Sequence, residues 1–241
     1  MISIRHLTRR FETLTAVDDL SVEISGGKIV ALLGANGAGK TTTLNMLTTL
    51  MVPSEGTALV GGYDICTEGD QVRRILGYVP EHGALYEGLT ADEFLELAGR
   101  IRGLSGEDIQ SRTTELLEYF DIADSRGNRL NTFSKGMRRK VLVTAALLHQ
   151  PEILFLDEPM DGLDVSSQKK LGELLRRHAT AGCTVIYSSH ILQQVEELCE
   201  DVVLIHQGKL LWNGPLNDLQ AAHQGAGLSD IFLQLTEGTS G

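Results

Sequence analysis

Gly34-Ala35-Asn36-Gly37-Ala38-Gly39-Lys40-Thr41 decides the fold, because it matches the phosphate-binding pattern G-x-x-x-x-G-K-[ST]. The apolar run Ile29–Leu33 before it predicts a buried strand, and residues 42–51 after it predict a helix. In such a loop the glycines let successive N–H groups point inward, and the helix N-terminus adds partial positive charge. Lys40 can reach the β- and γ-phosphates of a nucleotide, and the Thr41 hydroxyl can ligate Mg²⁺. The predicted phosphate-binding residues are Asn36, Gly37, Ala38, Gly39, Lys40, Thr41 and Thr42.

The composition is that of an ordinary globular protein, whose 241 residues can bury one substantial core with room for an inserted subdomain. The formal charge of −11 argues against general affinity for DNA, RNA or anionic lipid, so no nucleic-acid partner is expected. The sequence contains no run of about 18 apolar residues, the length that a membrane span needs, and its N-terminus lacks the apolar core of a signal peptide. Any membrane role is therefore expected to come through a partner chain.

The chain alternates between strand and helix patterns, with a helical stretch in the middle. A capping box, Thr90 to Glu93, starts this stretch, and Ser105 and Ser134 are predicted to cap two more helices. Alternation of strands and helices resumes at Ile153, which indicates an α/β core with an insertion. The end of the chain, from about Gly225, is small and polar and is expected to be loosely ordered. The predicted organisation is a nucleotide-binding domain over residues 1–220, a helical subdomain at about 82–150 within it, and a short tail over 221–241.

Two acids and a histidine extend the predicted site. Four apolar residues lead into Asp157 and Glu158, as expected for a buried strand that ends in acids beside the phosphate loop. Asp157 would then hold Mg²⁺ through its water shell, and Glu158 would polarise a water for attack on the γ-phosphate. His190 follows another strand pattern, at the sheet edge where open α/β sheets bind ligands. The alternatives are that Asp157 and Glu158 only form a solvated strand end and that His190 is a structural histidine. The phosphate loop favours the catalytic interpretation.

Taken together, these residues resemble the nucleotide-binding domain of ATP-binding cassette (ABC) transporters over roughly residues 2–220. Five further motifs, in the family's order, carry the resemblance. They are Phe11, placed 23 residues before Gly34 like the aromatic residue that stacks on adenine; G-Y-V-P-E at 77–81, similar to the Q-loop; F-S-K-G-M at 133–137, similar to the signature loop; G-L-D at 162–164, similar to the D-loop; and Ser189-His190, similar to the histidine switch.

The resemblance implies a P-loop NTPase fold, with a RecA-like core, an antiparallel β subdomain and an inserted α-helical subdomain. It implies ATP hydrolysis with Lys40, Glu158 and His190 as catalytic residues. Mg²⁺ would be ligated by Thr41, Glu81 and Asp157. Two copies, or one copy and a homologous subunit, would form a head-to-tail dimer around two ATP molecules. Ser134, Lys135, Gly136 and Asp164 would act on the nucleotide of the opposite subunit. The dimer would drive an integral membrane permease from the cytoplasmic face of the cell membrane.

Three motifs contain residues that depart from the family pattern. Glu81 stands where the family usually has glutamine, which places a full negative charge near the predicted cation. Lys135 and Met137 replace glycine and glutamine in the signature loop, although the backbone anion site needs only Ser134 and Gly136. Met160-Asp161 precedes the D-loop, where small polar residues are common.

The S-K-G-M and G-Y-V-P-E forms are similar to those of exporters whose membrane subunits are separate polypeptides. Two alternatives remain. One is an ABC ATPase that acts with non-membrane partners, such as a cluster-assembly factor. The other is a repair or chromosome ATPase, which would need a far longer insertion for its coiled coil than residues 82–150 provide.

Overall fold

The computed structural model describes residues 1–83 and 85–237, and the strands in these residues form two sheets. The strands are β1 (Ile2–Phe11), β2 (Leu14–Ile24), β3 (Ile29–Leu33), β4 (Glu55–Val60), β5 (Tyr63–Asp64), β6 (Leu76–Val79), β7 (Ile153–Asp157), β8 (Thr184–Ser189), β9 (Asp201–His206) and β10 (Lys209–Pro215). One sheet is antiparallel, with the order β2-β1-β4-β5. The other has the order β10-β9-β3-β8-β7-β6 and is parallel except at β10.

The parallel sheet brings the predicted site residues to one edge. β3, which leads into the phosphate loop, lies between β9 and β8, and β7 lies beyond β8. In the register of these strands Leu33 pairs with Ser189, and Asp157 pairs with Ser188. The residues that follow β3, β7 and β8 therefore meet at the carboxyl edge of the sheet, where parallel sheets bind ligands.

β3 is buried on both faces, which explains its uninterrupted apolar sequence. Ile29, Ala31 and Leu33 face a core shared with the helices on one side of the sheet. Val30 and Leu32 face a second core, which lies against the antiparallel sheet. Successive strand residues point to opposite faces, so this one strand belongs to both cores.

The described helices are α1 (Lys40–Leu47), α2 (Gly69–Ile75), α3 (Ala91–Ile101), α4 (Gly106–Tyr119), α5 (Lys135–Leu147), α6 (Val165–Thr180), α7 (Leu192–Leu198), α8 (Leu216–Ala222) and α9 (Leu228–Glu237). Helices α3, α4 and α5 lie between β6 and β7 in the chain and contact one another. The predicted capping box of Thr90 and Glu93 is confirmed. The caps predicted at Ser105 and Ser134 are also confirmed, because each side chain accepts a backbone N–H at the helix start.

Two predictions about helices are wrong. Helix α1 starts at Lys40 and ends at Leu47 instead of residue 51, because Thr49 adopts a positive φ of 63°. The described part of the tail is not loosely ordered, since α9 buries Leu228 and Ile231 in the core and packs against α7. Periodic apolar residues outweigh the polar composition there. Helix α8 runs across residue 220, the expected end of the domain, and residues 238–241 lie outside the described residues.

None of the described helices combines the length and the apolar character needed to cross a membrane.

We expect His149 to make stability depend on pH. Its Nε2 lies 2.9 Å from the Leu76 carbonyl oxygen, and burial lowers the pKa of the ring to about 4. A histidine in the unfolded chain has a pKa of about 6.5, so protons bind the unfolded chain preferentially. The stability that the neutral, buried His149 ring contributes is therefore lost as pH falls from about 6.5 toward 4. Between pH 7 and 5 the free energy of unfolding should fall by roughly 1 kcal/mol through this ring, allowing for its partial exposure.

Urea unfolding of the wild type and of His149→Gln at both pH values measures this contribution. The substitution should remove that part of the pH dependence. His82→Gln, at a side chain that is 90% exposed, is the control and should keep it. An equal pH dependence in the wild type and His149→Gln would contradict the assignment.

Candidate active site

A cavity of about 450 Å³ at the carboxyl edge of the parallel sheet gathers most of the predicted site residues. Its predicted lining residues are Phe11, Asn36, Gly37, Gly39, Lys40, Thr41, Thr42, Glu81, Asp157, Glu158 and His190. Ala38 does not line it, because its methyl group is buried and its N–H donates to the Ala35 carbonyl at 3.0 Å. A larger cavity, of about 770 Å³, lies at the amino ends of β7 and β8 and contains none of the phosphate-loop residues.

Close packing explains two of the loop glycines. Gly39 has a φ of 105°, and a Cβ on it would lie 2.4 Å from the Ala16 carbonyl oxygen. A Cβ on Gly34 would lie 2.5 Å from the Ile205 carbonyl oxygen. A side chain at either position would push the loop away from β2 or β9, so both glycines are required for this loop shape.

The Lys40 side chain is buried and lies across the loop that precedes it. Its Nζ donates to the carbonyl oxygens of Gly34 at 2.8 Å and Ala35 at 3.2 Å. Burial lowers the pKa of the Lys40 ammonium, and the carboxylates of Glu158, Asp157 and Glu81 oppose that shift. The ammonium is therefore partly desolvated, which strengthens a charge-assisted hydrogen bond to a phosphate, while the nearby carboxylates favour its charged form.

Thr41 and Asp157 form a candidate ligand set for a hard cation. The Thr41 hydroxyl donates to Asp157 Oδ2 at 2.8 Å and thereby joins the phosphate loop to the end of β7. Asp157 Oδ1 is buried and has no hydrogen-bond partner among the described residues. A buried carboxylate oxygen without a donor fits a metal ion or its bound water, and hydroxyl and carboxylate oxygens are suitable ligands for Mg²⁺. Glu81 adds a third carboxylate to the same cavity.

Glu158 and His190 are paired. Glu158 Oε1 lies 2.8 Å from His190 Nδ1, and a carboxylate can only accept, so Nδ1 carries the hydrogen of this bond. The Glu158 side chain is 11% exposed, whereas the His190 side chain is 57% exposed. Glu158 also has a positive φ of 47°, which is unusual for a residue with a side chain and is typical of strained functional positions.

A network of polar side chains from β8 and α7 supports this pair. The Ser189 hydroxyl lies 3.4 Å from Glu158 Oε2 and 3.3 Å from Gln194 Oε1. The Tyr187 hydroxyl donates to Gln194 Oε1 at 2.9 Å. The network fixes the carboxylate relative to β8 and α7, and the sequence patterns had not singled out Tyr187 or Gln194.

Phe11 lies at the rim of the cavity, where its side chain is 40% exposed. The Arg9 guanidinium lies 4.8 Å from the centre of its ring and adds a cation–π contact. Leu14 and Ala16 also line the cavity, although sequence reasoning missed them. The pairing of Phe11 with Leu14 across a two-residue turn places them there, and a hairpin assignment for residues 11–14 would have found them.

The residues predicted to act on a partner's nucleotide are outside this cavity in the described structure. Ser134 caps α5 and accepts the Met137 N–H at 3.2 Å. Asp164 caps α6 and accepts from both the N–H and the hydroxyl of Ser167, at 2.9 and 2.8 Å. Lys135 and Gly136 belong to the first turn of α5. The chain therefore brings together the predicted residues of its own nucleotide site and leaves these four on another part of its surface.

Arg139 connects the signature helix α5 to the segment that carries Glu81. Its guanidinium donates to the carbonyl oxygens of Pro80 and Glu81, both at 2.7 Å, and the residue is only 4% exposed. Such a bidentate contact fixes the main chain next to Glu81. No local sequence pattern indicates this connection, because it depends on α5 packing against the end of β6.

Comparisons with known proteins identify the family to which this chain is similar. A family model described as ABC transporter matches residues 17–161. The ABC transporter ATP-binding protein NatA of Bacillus subtilis (strain 168) is 37% identical over 247 residues that cover 100% of both chains. The linearmycin resistance ATP-binding protein LnrL of the same organism is 36% identical over 98% of this chain and 75% of its own length.

Solved structures extend the comparison to three dimensions. The ATP-binding subunit of an ABC transporter matches with a TM-score of 0.92 at 32% identity, over 98% of this chain and 99% of that one. The dimeric, post-hydrolysis state of the ATP-binding cassette MJ0796, bound to ADP and Pi, matches with a TM-score of 0.82 at 25% identity, over 90% of this chain and 99% of that one. The chain therefore belongs to the ABC transporter family, as an ATP-binding subunit with ATPase activity.

Proposed function

We propose that this chain is the ATP-hydrolysing subunit of an ABC exporter whose membrane permease is a separate polypeptide. Two copies bind head to tail around two Mg·ATP molecules at the inner face of the cell membrane. The division of the site carries this proposal: one cavity contains the phosphate loop, the acids and the histidine, while the signature loop lies outside it. The solved relative that is a dimer bound to ADP and Pi supports the dimer, and the resistance protein LnrL supports export.

The charged and polar residues of the cavity have proposed roles. Lys40 binds the β- and γ-phosphates, together with the N–H groups of the loop. Bound Mg²⁺ would neutralise charge on the phosphates, and Thr41, Asp157 and Glu81 are the residues placed to hold it. Glu158 accepts a proton from the attacking water, and His190 holds that carboxylate in position through the 2.8 Å hydrogen bond.

Residues at the rim of the cavity and residues outside it have further proposed contacts with nucleotide. Phe11 stacks on the adenine ring, and the loop residues Asn36 to Thr42 surround the phosphates. Ser134, Lys135, Gly136 and Asp164 contact the nucleotide held by the opposite subunit. The N-terminus of α5 with its Ser134 cap suits an anion, which supports this assignment.

Replacing Glu81 by glutamine tests the proposed metal role. The amide oxygen still ligates Mg²⁺, but the loss of a full negative charge should raise the free Mg²⁺ concentration for half-maximal ATPase activity roughly threefold to tenfold. Activity is measured against free Mg²⁺ at fixed ATP. Glu118→Gln, on an exposed part of α4, is the matched control and should not shift the curve. A Glu81→Gln curve that overlays the wild type would remove Glu81 from the ligand set.

An exposed apolar surface on the helical layer is the proposed permease contact. Tyr86, Leu97 and Ile101, which we call the helical patch, are 66%, 40% and 75% exposed. Leu97 and Ile101 lie on one face of α3, and Tyr86 and Leu97 line a shallow apolar cavity of about 380 Å³. Such a cluster of large exposed apolar side chains is typical of a protein–protein contact. It lies in the segment next to Glu81, which would let the permease sense the nucleotide site.

Photo-crosslinking in native cells tests this contact. A photoreactive phenylalanine analogue at Leu97 should crosslink the chain to an integral membrane protein with several spans. The same analogue at Leu233, which is 52% exposed on α9, is the control and should not yield that product. A Leu97 product that is a soluble assembly protein would instead establish the alternative of an ABC ATPase with non-membrane partners. The repair type is disfavoured, because the described helices between β6 and β7 have 11, 14 and 13 residues.

A further inference from the structure

Two of the unusual residues in this chain bind each other. Lys135 replaces a glycine of the family's signature loop, and Asp161 occupies a position before the D-loop where small polar residues are common. In the structure Lys135 Nζ lies 2.6 Å from Asp161 Oδ2. The two departures from the family pattern therefore form a single ion pair between the signature loop and the turn that follows Glu158.

The backbone brings these two loops into direct contact. The Lys135 side chain crosses Gly162, where a Cβ would lie 2.9 Å from its Cγ and Cδ atoms. A Cβ on Gly136 would lie 2.6 Å from the Gly162 carbonyl oxygen. A side chain at Gly136 would push the two loops apart, and a side chain at Gly162 would displace the lysine, so the path of Lys135 toward Asp161 depends on both glycines.

Asp161 lies between the signature loop and the catalytic pair. Its N–H donates to the Glu158 carbonyl oxygen at 3.2 Å, so it belongs to the same tight turn as Glu158. The hydrogen bond from Lys135 lowers the pKa of the Asp161 carboxyl, and the charges of Lys135, Arg139 and His190 lower it further. Asp161 thus binds the signature loop through its side chain and the turn of Glu158 through its backbone N–H.

The pair is accessible enough to exchange partners. The Lys135 side chain is 67% exposed and that of Asp161 is 47% exposed. An ion pair with this exposure contributes little stability, because solvent screens both charges. A nucleotide phosphate carries more charge than a carboxylate and accepts charge-assisted hydrogen bonds, so it can compete for the ammonium.

We propose that Asp161 is a positioning residue, which holds Lys135 against its own chain until the phosphates of the nucleotide bound to the partner subunit compete for it. This inference rests on the proposed head-to-tail dimer. When the ammonium leaves Asp161, the turn that carries Glu158 loses its anchor to the signature loop. Arrival of ATP in one site thereby changes the surroundings of the catalytic carboxylate in the other, and the two sites become cooperative.

Dimerisation of the Glu158→Gln protein tests whether Lys135 leaves Asp161 for the phosphates. The fraction of dimer is measured by size exclusion with light scattering during a titration with ATP and Mg²⁺. Adding Asp161→Asn frees Lys135 and should lower the ATP concentration for half-dimerisation about fivefold, because the lost restraint is only a weak surface pair. Adding Lys135→Met removes the ammonium and should raise that concentration about tenfold, the effect of one charge-assisted contact. With both changes present, the titration should match that of Lys135→Met, since Asp161 is inferred to act only through Lys135.

Two controls separate this role from a general effect. Asp121→Asn breaks the 2.5 Å pair with Lys170, which is remote from both loops in the chain, and should not shift the titration. Binding of a fluorescent ATP analogue to the monomer should differ by less than about twofold between Asp161→Asn and its parent, because the change releases only a surface pair that does not hold the chain's own nucleotide.

The outcomes are distinct. An Asp161→Asn shift that persists in the Lys135→Met background would overturn the inference, because the carboxylate would then act directly on the nucleotide. An unshifted Asp161→Asn titration would also overturn it. Absence of any ATP-dependent dimer in the Glu158→Gln parent would refute the proposed dimer itself, and the partner exchange with it.

Discussion

Glu158→Gln is expected to lower kcat for ATP hydrolysis by about 10²- to 10⁴-fold, the contribution typical of a general base. The amide cannot accept the proton of the attacking water, although it is nearly isosteric with the carboxylate. ATP binding should persist, because the phosphates are held by the loop and Lys40. The protein should therefore accumulate as an ATP-bound dimer, whereas in the wild type ATP hydrolysis would dissociate the dimer. Steady-state phosphate release and size exclusion with ATP measure the two effects.

A glutamate at the other end of β7 provides the control for this prediction. Glu152 directly precedes β7 and is exposed, at the opposite end of the strand from Glu158. Glu152→Gln should retain the wild-type kcat and should form no stable dimer. If Glu158→Gln hydrolysed ATP at the wild-type rate, Glu158 would not be the base, and the role of the His190 contact would need another explanation.

Lys40→Ala is expected to abolish ATP binding at micromolar concentrations, which corresponds to a loss of roughly 100-fold or more in affinity. The change removes a partly desolvated ammonium from the phosphate loop. Calorimetric titration with ATP and Mg²⁺ measures the affinity, and circular dichroism verifies that the helices remain. Hydrolysis should fall below detection, because the substrate is no longer held.

Lys28 is the matched lysine for this test. It precedes β3, at the opposite end of the strand from the phosphate loop, and pairs with Asp201 at 3.1 Å. Lys28→Ala should cost at most about 1 kcal/mol of stability and leave ATP affinity unchanged. Equal ATP affinity in Lys40→Ala and the wild type would contradict the phosphate assignment.

Much of the sheet that carries the candidate site could be predicted from the sequence. Strands β3 and β7 are buried on both faces, so each begins with at least four consecutive apolar residues, a pattern that clearly predicts a buried strand. Parallel neighbours end at the same edge, which places His190 near Glu158 without further information. The helix caps at Thr90, Ser105 and Ser134 were predictable as well, because capping is a local interaction.

The features that could not be predicted depend mostly on contacts between residues that are distant in the sequence. The bidentate contact of Arg139 exists only because α5 packs against the end of β6. The Lys135–Asp161 pair joins residues that are 26 positions apart in two different loops, and no periodic sequence pattern predicts it. The tail was mispredicted because polar composition hid the apolar spacing of Leu228 and Ile231.

Because β3 is shared by both cores, nucleotide binding should protect regions far from the cavity. The strand contributes Ile29, Ala31 and Leu33 to one core and Val30 and Leu32 to the other. Global unfolding removes this strand from both cores and disrupts the phosphate loop that follows it, so a ligand on that loop opposes global unfolding. At 100 times its dissociation constant, a nucleotide would stabilise the folded state by about 2.7 kcal/mol. Amide hydrogen exchange should therefore slow in the antiparallel sheet as well as at the bound phosphates.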